Sequence, residues 1–319
     1  MQNLTFRPFT YTDDDYKAIL AIHNAALPDY PEELEEWRHW EQNRPAYCKA
    51  QRWVAELDGA MVAFGGFEQF PNMFHPQKFY VNVCVHPAHQ LKGIGQRLYT
   101  HVIEQLAPLN PIVLRCEVRE DFAAANHIIR KHGFVEEMKF WESRLNLTTF
   151  DPSPWAGHIE KVLAKGIEIV TLRELMERGG EFERPLYEAM MEMARDVPRP
   201  DEYTPVSFEE WRKFNLESPN ALPDGYFLAM HEGNFAGVSN LWKAPEEDVL
   251  HVGLTATRRP YRRMGIALAL KLKAIEYARQ RGIRELRTGN ETRNRPMLSI
   301  NEALGFVKQP VWVAYMKAL

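Results

Sequence analysis

The sequence predicts an α/β protein built from two tandem domains, each a mixed, largely antiparallel sheet flanked by helices. Three observations carry that expectation. The chain has 319 residues, long for one domain and comfortable for two of about 150, each large enough to bury its own core. The same local chemistry is written twice, 172 residues apart: Gln90-Leu91-Lys92-Gly93-Ile94-Gly95 and Arg262-Arg263-Met264-Gly265-Ile266-Ala267 each open an amphipathic pattern directly behind a β-rich run. Each loop is followed 40 residues later by a Gly-Phe pair, Gly133-Phe134 and Gly305-Phe306, and Gly65 is matched in register by Gly237.

Residues 4–9 read as a strand, and 13–26 and 33–43 as helices, the second entered through Pro31. Two β-rich runs, 52–57 and 61–70, flank Asp58-Gly59, a strong short-range hairpin signal. Residues 79–85 alternate as a further strand that Pro87 stops, and the first glycine loop comes next. Behind it Ile94, Leu98, Val102 and Leu106 make one apolar helical stripe. A strand over 112–118, a helix over 121–131 ended by Gly133, and a strand over 134–147 complete the first domain. The pattern lapses at Asp151-Pro152-Ser153-Pro154, and a short helix-like stretch runs to Lys165. The expected boundaries are therefore 1–150, a linker 151–165, and 166–319. The plan restarts with a strand at 167–171, helices around 181–195 and 207–217, and paired strands 225–231 and 235–243. The run 249–256 then leads to the second loop, whose helix repeats the stripe as Ile266, Leu270, Ala274 and Ala278.

With 45% hydrophobic and 26% charged residues the composition is that of an ordinary globular protein, and a net charge of −4 argues against nucleic acid as partner. No apolar run reaches about 18 residues, so no membrane span is expected. The N-terminal Met1-Gln2-Asn3-Leu4-Thr5-Phe6-Arg7 lacks a secretory pattern. Cys48, Cys84 and Cys116 have no metal-ligand spacing and read as reduced thiols. The expectation is a cytoplasmic protein without a metal; oligomeric state is not legible.

A strand that ends at a glycine loop and feeds a helix aims free backbone N–H groups and the positive end of the helix dipole at one point, which suits a phosphate. The alternative for either loop alone is a tight β-to-α turn that needs glycine only for its geometry. Other phosphate motifs fit worse. A P-loop requires Lys-Ser or Lys-Thr after its last glycine, where Gln96-Arg97 and Leu268-Ala269 stand, and a dinucleotide fingerprint belongs early in a parallel βαβ unit.

Val85-His86-Pro87-Ala88-His89-Gln90-Leu91-Lys92-Gly93-Ile94-Gly95 resembles the acetyl-CoA-binding motif of the GNAT N-acetyltransferases, a Val-x-Pro opening followed by Gln/Arg-x-x-Gly-x-Gly/Ala, and the two Gly-Phe pairs resemble its close. The resemblance covers both halves, in the layout of tandem GNAT proteins such as the mycothiol synthase type. It implies that Gln90, Leu91, Lys92, Gly93, Ile94, Gly95 and Gln96, with Arg262, Arg263, Met264, Gly265, Ile266, Ala267 and Leu268, hold the coenzyme A pyrophosphate through backbone amides. Val83, Cys84 and Val85, with Leu254, Thr255 and Ala256, would pair their backbone with the pantetheine arm.

The family often carries Asn eleven residues before the closing Gly and Tyr four residues before it as general acid. The first position holds Asn294 in the second half and Phe122 in the first; the second holds Asn301 and Ile129. Asn294 is expected to contact the coenzyme, and Asn301 to lie near the thioester unless helix capping explains it. Arg258, Arg259, Arg262 and Arg263 are expected to attract the coenzyme's phosphates, with a solvated surface as the bland alternative. Candidate proton carriers are Glu68 and Tyr80 in the first half and His251 and Tyr315 in the second, each with packing as the competing explanation. Glu33, Glu36, Trp37, Trp40, Glu209, Glu210 and Trp211 lie where acceptors often dock in this family. The implied activity is acetyl-CoA-dependent N-acetylation of a small-molecule primary amine by direct transfer; the alternative is a coenzyme A-binding sensor or scaffold with one or both halves inactive.

Overall fold

Turn and cap chemistry sets the element boundaries. The computed structural model describes residues 3–319. In chain order the elements are β1 (Leu4–Pro8), α1 (Asp13–Ala26), α2 (Leu34–Gln42), β2 (Ala50–Leu57), β3 (Ala60–Glu68), β4 (Lys78–Val85), α3 (Ile94–Leu106), β5 (Val113–Arg119), α4 (Ala123–Lys131) and β6 (Val135–Asn146). They continue with α5 (His158–Leu163), β7 (Ile167–Thr171), α6 (Leu172–Arg178), α7 (Glu183–Ala194), α8 (Phe208–Asn215), β8 (Ala221–His231), β9 (Asn234–Lys243), β10 (Val249–Thr257), α9 (Ile266–Gln280), β11 (Glu285–Glu291), α10 (Arg295–Ala303), β12 (Val307–Lys308) and β13 (Trp312–Ala318).

The Asp58-Gly59 hairpin forms with both residues at positive φ, and Glu232-Gly233 does the same between β8 and β9. Gly133 ends α4 at φ +84. The helix α6 was not expected from the sequence: it begins at a capping box in which the Thr171 hydroxyl accepts from the Glu174 N–H and the Glu174 carboxylate accepts from the Thr171 N–H. The Thr-x-x-Glu signature was there to be read.

The chain resolves into two compact units, one ending at Glu137 but including Val313–Leu319, the other spanning Met138–Trp312. This differs from a simple cut in the linker, because each half contributes its last strand to the other unit. In the first unit the strand order is β1-β2-β3-β4-β5-β13. In the second it is β7-β8-β9-β10-β11-β6, with β12 beside β6. Most neighbours are antiparallel; β4 with β5 and β10 with β11 are parallel. From Met138 on, β6 serves the second sheet, where it pairs antiparallel with β11 from Phe140↔Glu291 to Asn146↔Glu285.

The apolar stripe of α3 is buried as expected, with Ile94, Leu98, Val102 and Leu106 all against the first sheet's core. Gly65 lets that helix sit close: a Cβ there would stand 2.8 Å from the Asn82 carbonyl and 3.3 Å from Leu98. Gly237 does the same for α9, where a Cβ would meet Ile266 at 2.9 Å. The second sheet is covered on both faces. One core gathers α9 and α5 around Leu250, Val252 and Ile266; the other gathers α7 and α8 around Leu228, Val238 and Trp211.

On α9 burial extends beyond the stripe and takes in Lys271, 2% exposed. Its ammonium lies 5.3 Å from the Phe306 ring and pairs with no carboxylate among the described residues. Burial without a counter-charge pushes its pKa from 10.5 down to about 7. Between those values the unfolded chain binds the proton and the folded chain does not, so stability rises with pH across that window, by up to about 1.4 kcal/mol per pH unit, and the penalty is constant below it. Chemical denaturation at pH 7 and 9 is expected to show the wild type gaining stability. Lys271→Met should be the more stable protein at pH 7 and lack the gain.

Candidate active site

β4 is hydrogen-bonded along one edge to β3, from Glu68↔Tyr80 to Ala63↔Val85, without interruption. On its other edge the parallel ladder with β5 runs only from Lys78↔Val113 to Tyr80↔Arg115. The two strands part there, and the remaining length of β4, which includes Val83, Cys84 and Val85, turns peptide groups toward a gap. In the second unit the β10–β11 ladder runs from Val249↔Glu285 to Val252↔Thr288, and β10 continues past the parting through Leu254, Thr255 and Ala256 to Thr257. The second unit adds a feature the first lacks: the β9–β10 register shifts between Val252 and Thr255, a bulge centred on Gly253 and Leu254. Gly253 is obligatory there, since a Cβ would fall 2.4 Å from the Trp242 indole nitrogen and 2.6 Å from Asn240 Oδ1.

Each gap runs into its glycine loop. Gly93 and Gly265 are the N-caps of α3 and α9, at φ +80 and +89. Two residues earlier Leu91 and Arg263 also have positive φ, 59° and 63°. The same unfavourable backbone state at equivalent non-glycine positions is local strain kept in both copies, and such strain concentrates at binding sites. First-turn N–H groups of each helix have no i−4 carbonyl and face outward. Thus Gln90, Lys92, Ile94, Gly95 and Gln96 in one loop, and Arg262, Met264, Ile266, Ala267 and Leu268 in the other, surround a helix N-terminus of the geometry that attracts an anion. Gly95 is pressed by packing, with 3.2 Å from a Cβ there to Val85, whereas nothing lies within 4 Å of Gly93.

The arginine cluster is largely ion-paired. Arg258 donates to Glu192, and Arg259 and Arg262 both donate to Asp196, whose carboxyl they hold down at about pKa 2. Three of the four guanidinium groups therefore tie the loop to the end of α7; among the described residues the exposed Arg263 has no such pair.

Asn294 caps α10 by backbone position only, since its side chain makes no capping bond, and Phe122 occupies the same place on α4. Asn301 is 1% exposed. Its Nδ2 donates to Asn290 Oδ1 at 2.7 Å and its own Oδ1 has no partner among the described residues, so it is a buried amide with an unsatisfied acceptor rather than a helix cap.

Of the proton carriers, Tyr315 is corrected. It lies on β13 in the first unit, fully buried, and its hydroxyl donates to Asn126 Oδ1 at 2.7 Å; that amide in turn donates to the carbonyls of Arg119 and Phe122. This network fixes the start of α4 and holds the hydroxyl in the interior of the first unit. Glu68 is ion-paired with Arg44 at 3.2 Å on the wall of a cavity of about 550 Å³ that Tyr11, Glu41 and Arg52 also line. Tyr80 leans on Phe70. His251 stands on β10 immediately before the parting, opposite Trp242 and Arg287. Burial first, then the Arg287 charge, lowers its pKa, so it is neutral at neutral pH.

Among the acceptor-side residues Trp211 is core, 1% exposed, and Glu210 closes a capping box with Ser207. Sequence reasoning passed over Glu32. Burial, then Glu36, pushes its carboxyl up to about 7, and the Trp37 side chain hydrogen-bonds to it. Glu117 was also missed. It stands on β5 past the parting, where its side chain reaches solvent yet crowding by protein atoms raises its pKa. The equivalent of Glu117 in the second unit is Gly289, with open space around it.

In each unit a parallel strand pair opens ahead of a helix N-terminus. The chain belongs to the acetyltransferase (GNAT) family, whose pattern matches residues 17–134 and 185–306, and it is a tandem N-acetyltransferase. The mycothiol acetyltransferase of Thermobispora bispora is 24% identical over 245 residues, 74% of this chain and 75% of the relative; that of Thermobifida fusca is 24% identical over 237 residues, 70% of each. A tandem GNAT protein from the clavulanic acid biosynthesis pathway superposes with a TM-score of 0.75 at 21% identity over 99% of this chain and 98% of that one. The GCN5-related N-acetyltransferase from Sphaerobacter thermophilus gives 0.72 at 20% identity, over 99% and 95%. These two likenesses establish the fold.

Because Gly93 requires φ +80 but has free space, Gly93→Ala should cost about 1–2 kcal/mol in denaturant unfolding through backbone strain alone. An unchanged midpoint would mean the loop relaxes.

Proposed function

We propose that the protein transfers an acetyl group from acetyl-CoA directly to the primary amine of a small molecule. The observation that carries this reading is the parting of β4 from β5, and of β10 from β11, immediately ahead of a loop with two positive-φ residues. The exposed strand edge suits the two amides of a pantetheine arm, and the helix N-terminus suits the pyrophosphate. The loop residues 90–96 and 262–268, the strand residues 83–85 and 254–256, and Asn294 are the proposed coenzyme contacts. Acetyl-CoA, when bound, supplies the thioester.

The second unit is the better candidate for catalysis. Its bulge takes backbone N–H groups out of the β9–β10 ladder at the parting, where one can hold the carbonyl oxygen as charge develops. His251, kept neutral beside that point, is the proposed base that takes the amine's proton. Asn301 stands where the family's usual acid is missing; an amide cannot protonate a thiolate, but it can hydrogen-bond one. Direct transfer is favoured over an acyl-cysteine, because burial pushes both Cys84 and Cys116 up to about 12, far from a neutral-pH nucleophile. The first unit's unbroken β3–β4 ladder and its Phe122 and Ile129 favour coenzyme binding without turnover there. The curated relatives are named mycothiol acetyltransferases; the acceptor proposed here is the wider class of small primary amines.

Isothermal titration of acetyl-CoA against the full protein, Gly93→Glu and Gly265→Glu should show each substitution abolishing one binding event. Affinity unchanged in both variants would overturn the coenzyme assignment, and failure of any amine panel to release free thiol would leave a binding protein. The pH profile of kcat/KM should fall on the acid side as His251 protonates, at a pH below the ordinary histidine value of 6.5, and His251→Gln should lose that limb along with much of the rate.

A further inference from the structure

The second phosphate loop is gripped from outside and the first is not. From the linker, His158 Nε2–H donates to the Gly265 carbonyl at 3.1 Å and Lys165 Nζ donates to the Met264 carbonyl at 3.0 Å. The grip is anchored in the core. Val162 of α5 is 1% exposed, and its Cγ2 lies 3.3 Å from where a Gly265 Cβ would stand. In the first loop the side-chain bonds are internal, Lys92 Nζ to the Ala88 carbonyl at 2.8 Å and Gln90 Nε2 to the Val85 carbonyl at 3.0 Å.

A trans peptide is planar, so the C=O of one residue and the N–H of the next point in opposite directions. Pinning the carbonyls of Met264 and Gly265 from the linker side therefore turns the N–H groups of Gly265 and Ile266 the other way. Lys165 also keeps two further N–H donors and a charge beside a loop whose Arg258, Arg259 and Arg262 are already compensated by Glu192 and Asp196.

We propose that His158 and Lys165 are positioning residues for the second coenzyme site, pre-orienting the Gly265 and Ile266 N–H groups toward the pyrophosphate of coenzyme A. This rests on the reading of the loops as coenzyme sites, and the test separates the two. The full chain carrying Gly93→Glu, so that only the second loop is measured, is titrated calorimetrically with coenzyme A. No binding in this background overturns the reading of the second loop as a coenzyme site, and the positioning role with it. Where binding is present, His158→Ala and Lys165→Met should each weaken it roughly ten-fold, the scale of one lost hydrogen bond to a charged or polarised group. They should also raise KM for acetyl-CoA more than they lower kcat. His158→Asn, which keeps an N–H donor, should recover most of the affinity. Unchanged affinity in both His158→Ala and Lys165→Met overturns the proposal, as does a loss in His158→Ala that tracks a lowered unfolding midpoint and is not recovered by His158→Asn.

Discussion

The parting of a parallel strand pair just before a helix N-terminus is the constraint on which the rest of each unit depends. A ladder left open inside a sheet exposes unpaired peptide groups, which is costly unless water or a ligand satisfies them. It persists here because both strands are held on their outer edges, β4 by β3 and β10 by β9, while β5 and β11 each have a neighbour on the far side. The helix behind the gap must then press close to the sheet. Gly65 and Gly237 make that approach sterically feasible.

Duplication preserved the backbone of this arrangement and let the side chains diverge. Both loops keep two positive-φ residues and both gaps open after a short ladder, since these features depend on glycine placement and strand register. What surrounds them differs. The first unit places Glu117 past its parting and a perturbed Glu32 ahead of α2, whereas the second offers Gly289, a bulge and the Asn290–Asn301 amide pair. The second loop is also tied down by Glu192 of α7, by Asp196 just beyond it, and by the linker. The linker thus bonds the loop ahead of α9 through His158 and Lys165, a contact that its broken, proline-rich sequence does not suggest.

The fold was readable in the sequence where short-range chemistry decides it. The 172-residue repeat, the helical stripes, the Asp58-Gly59 turn and the glycine before each helix all act through neighbours in the chain, and backbone-built binding features follow from them. Side-chain chemistry was less legible because it depends on which strands become neighbours. Tyr315 looked like a proton carrier of the second half. The exchange of last strands carries it into the first unit, where Asn126 consumes its hydroxyl. The arginines are expected from the sequence to attract phosphate, and only the structure shows that Asp196 and Glu192, more than 60 positions earlier, pair with three of them.

The sequence by itself determined two copies of an α/β plan and the positions of their glycine loops, since turn residues and apolar periodicity act locally. Only the tertiary structure decided which strand completes which sheet, where β10 bulges, which carboxylates and amides are desolvated, and which loop the linker holds. Those outcomes depend on contacts between distant segments, and burial and pairing change what a side chain can do far more than its place in the chain reveals.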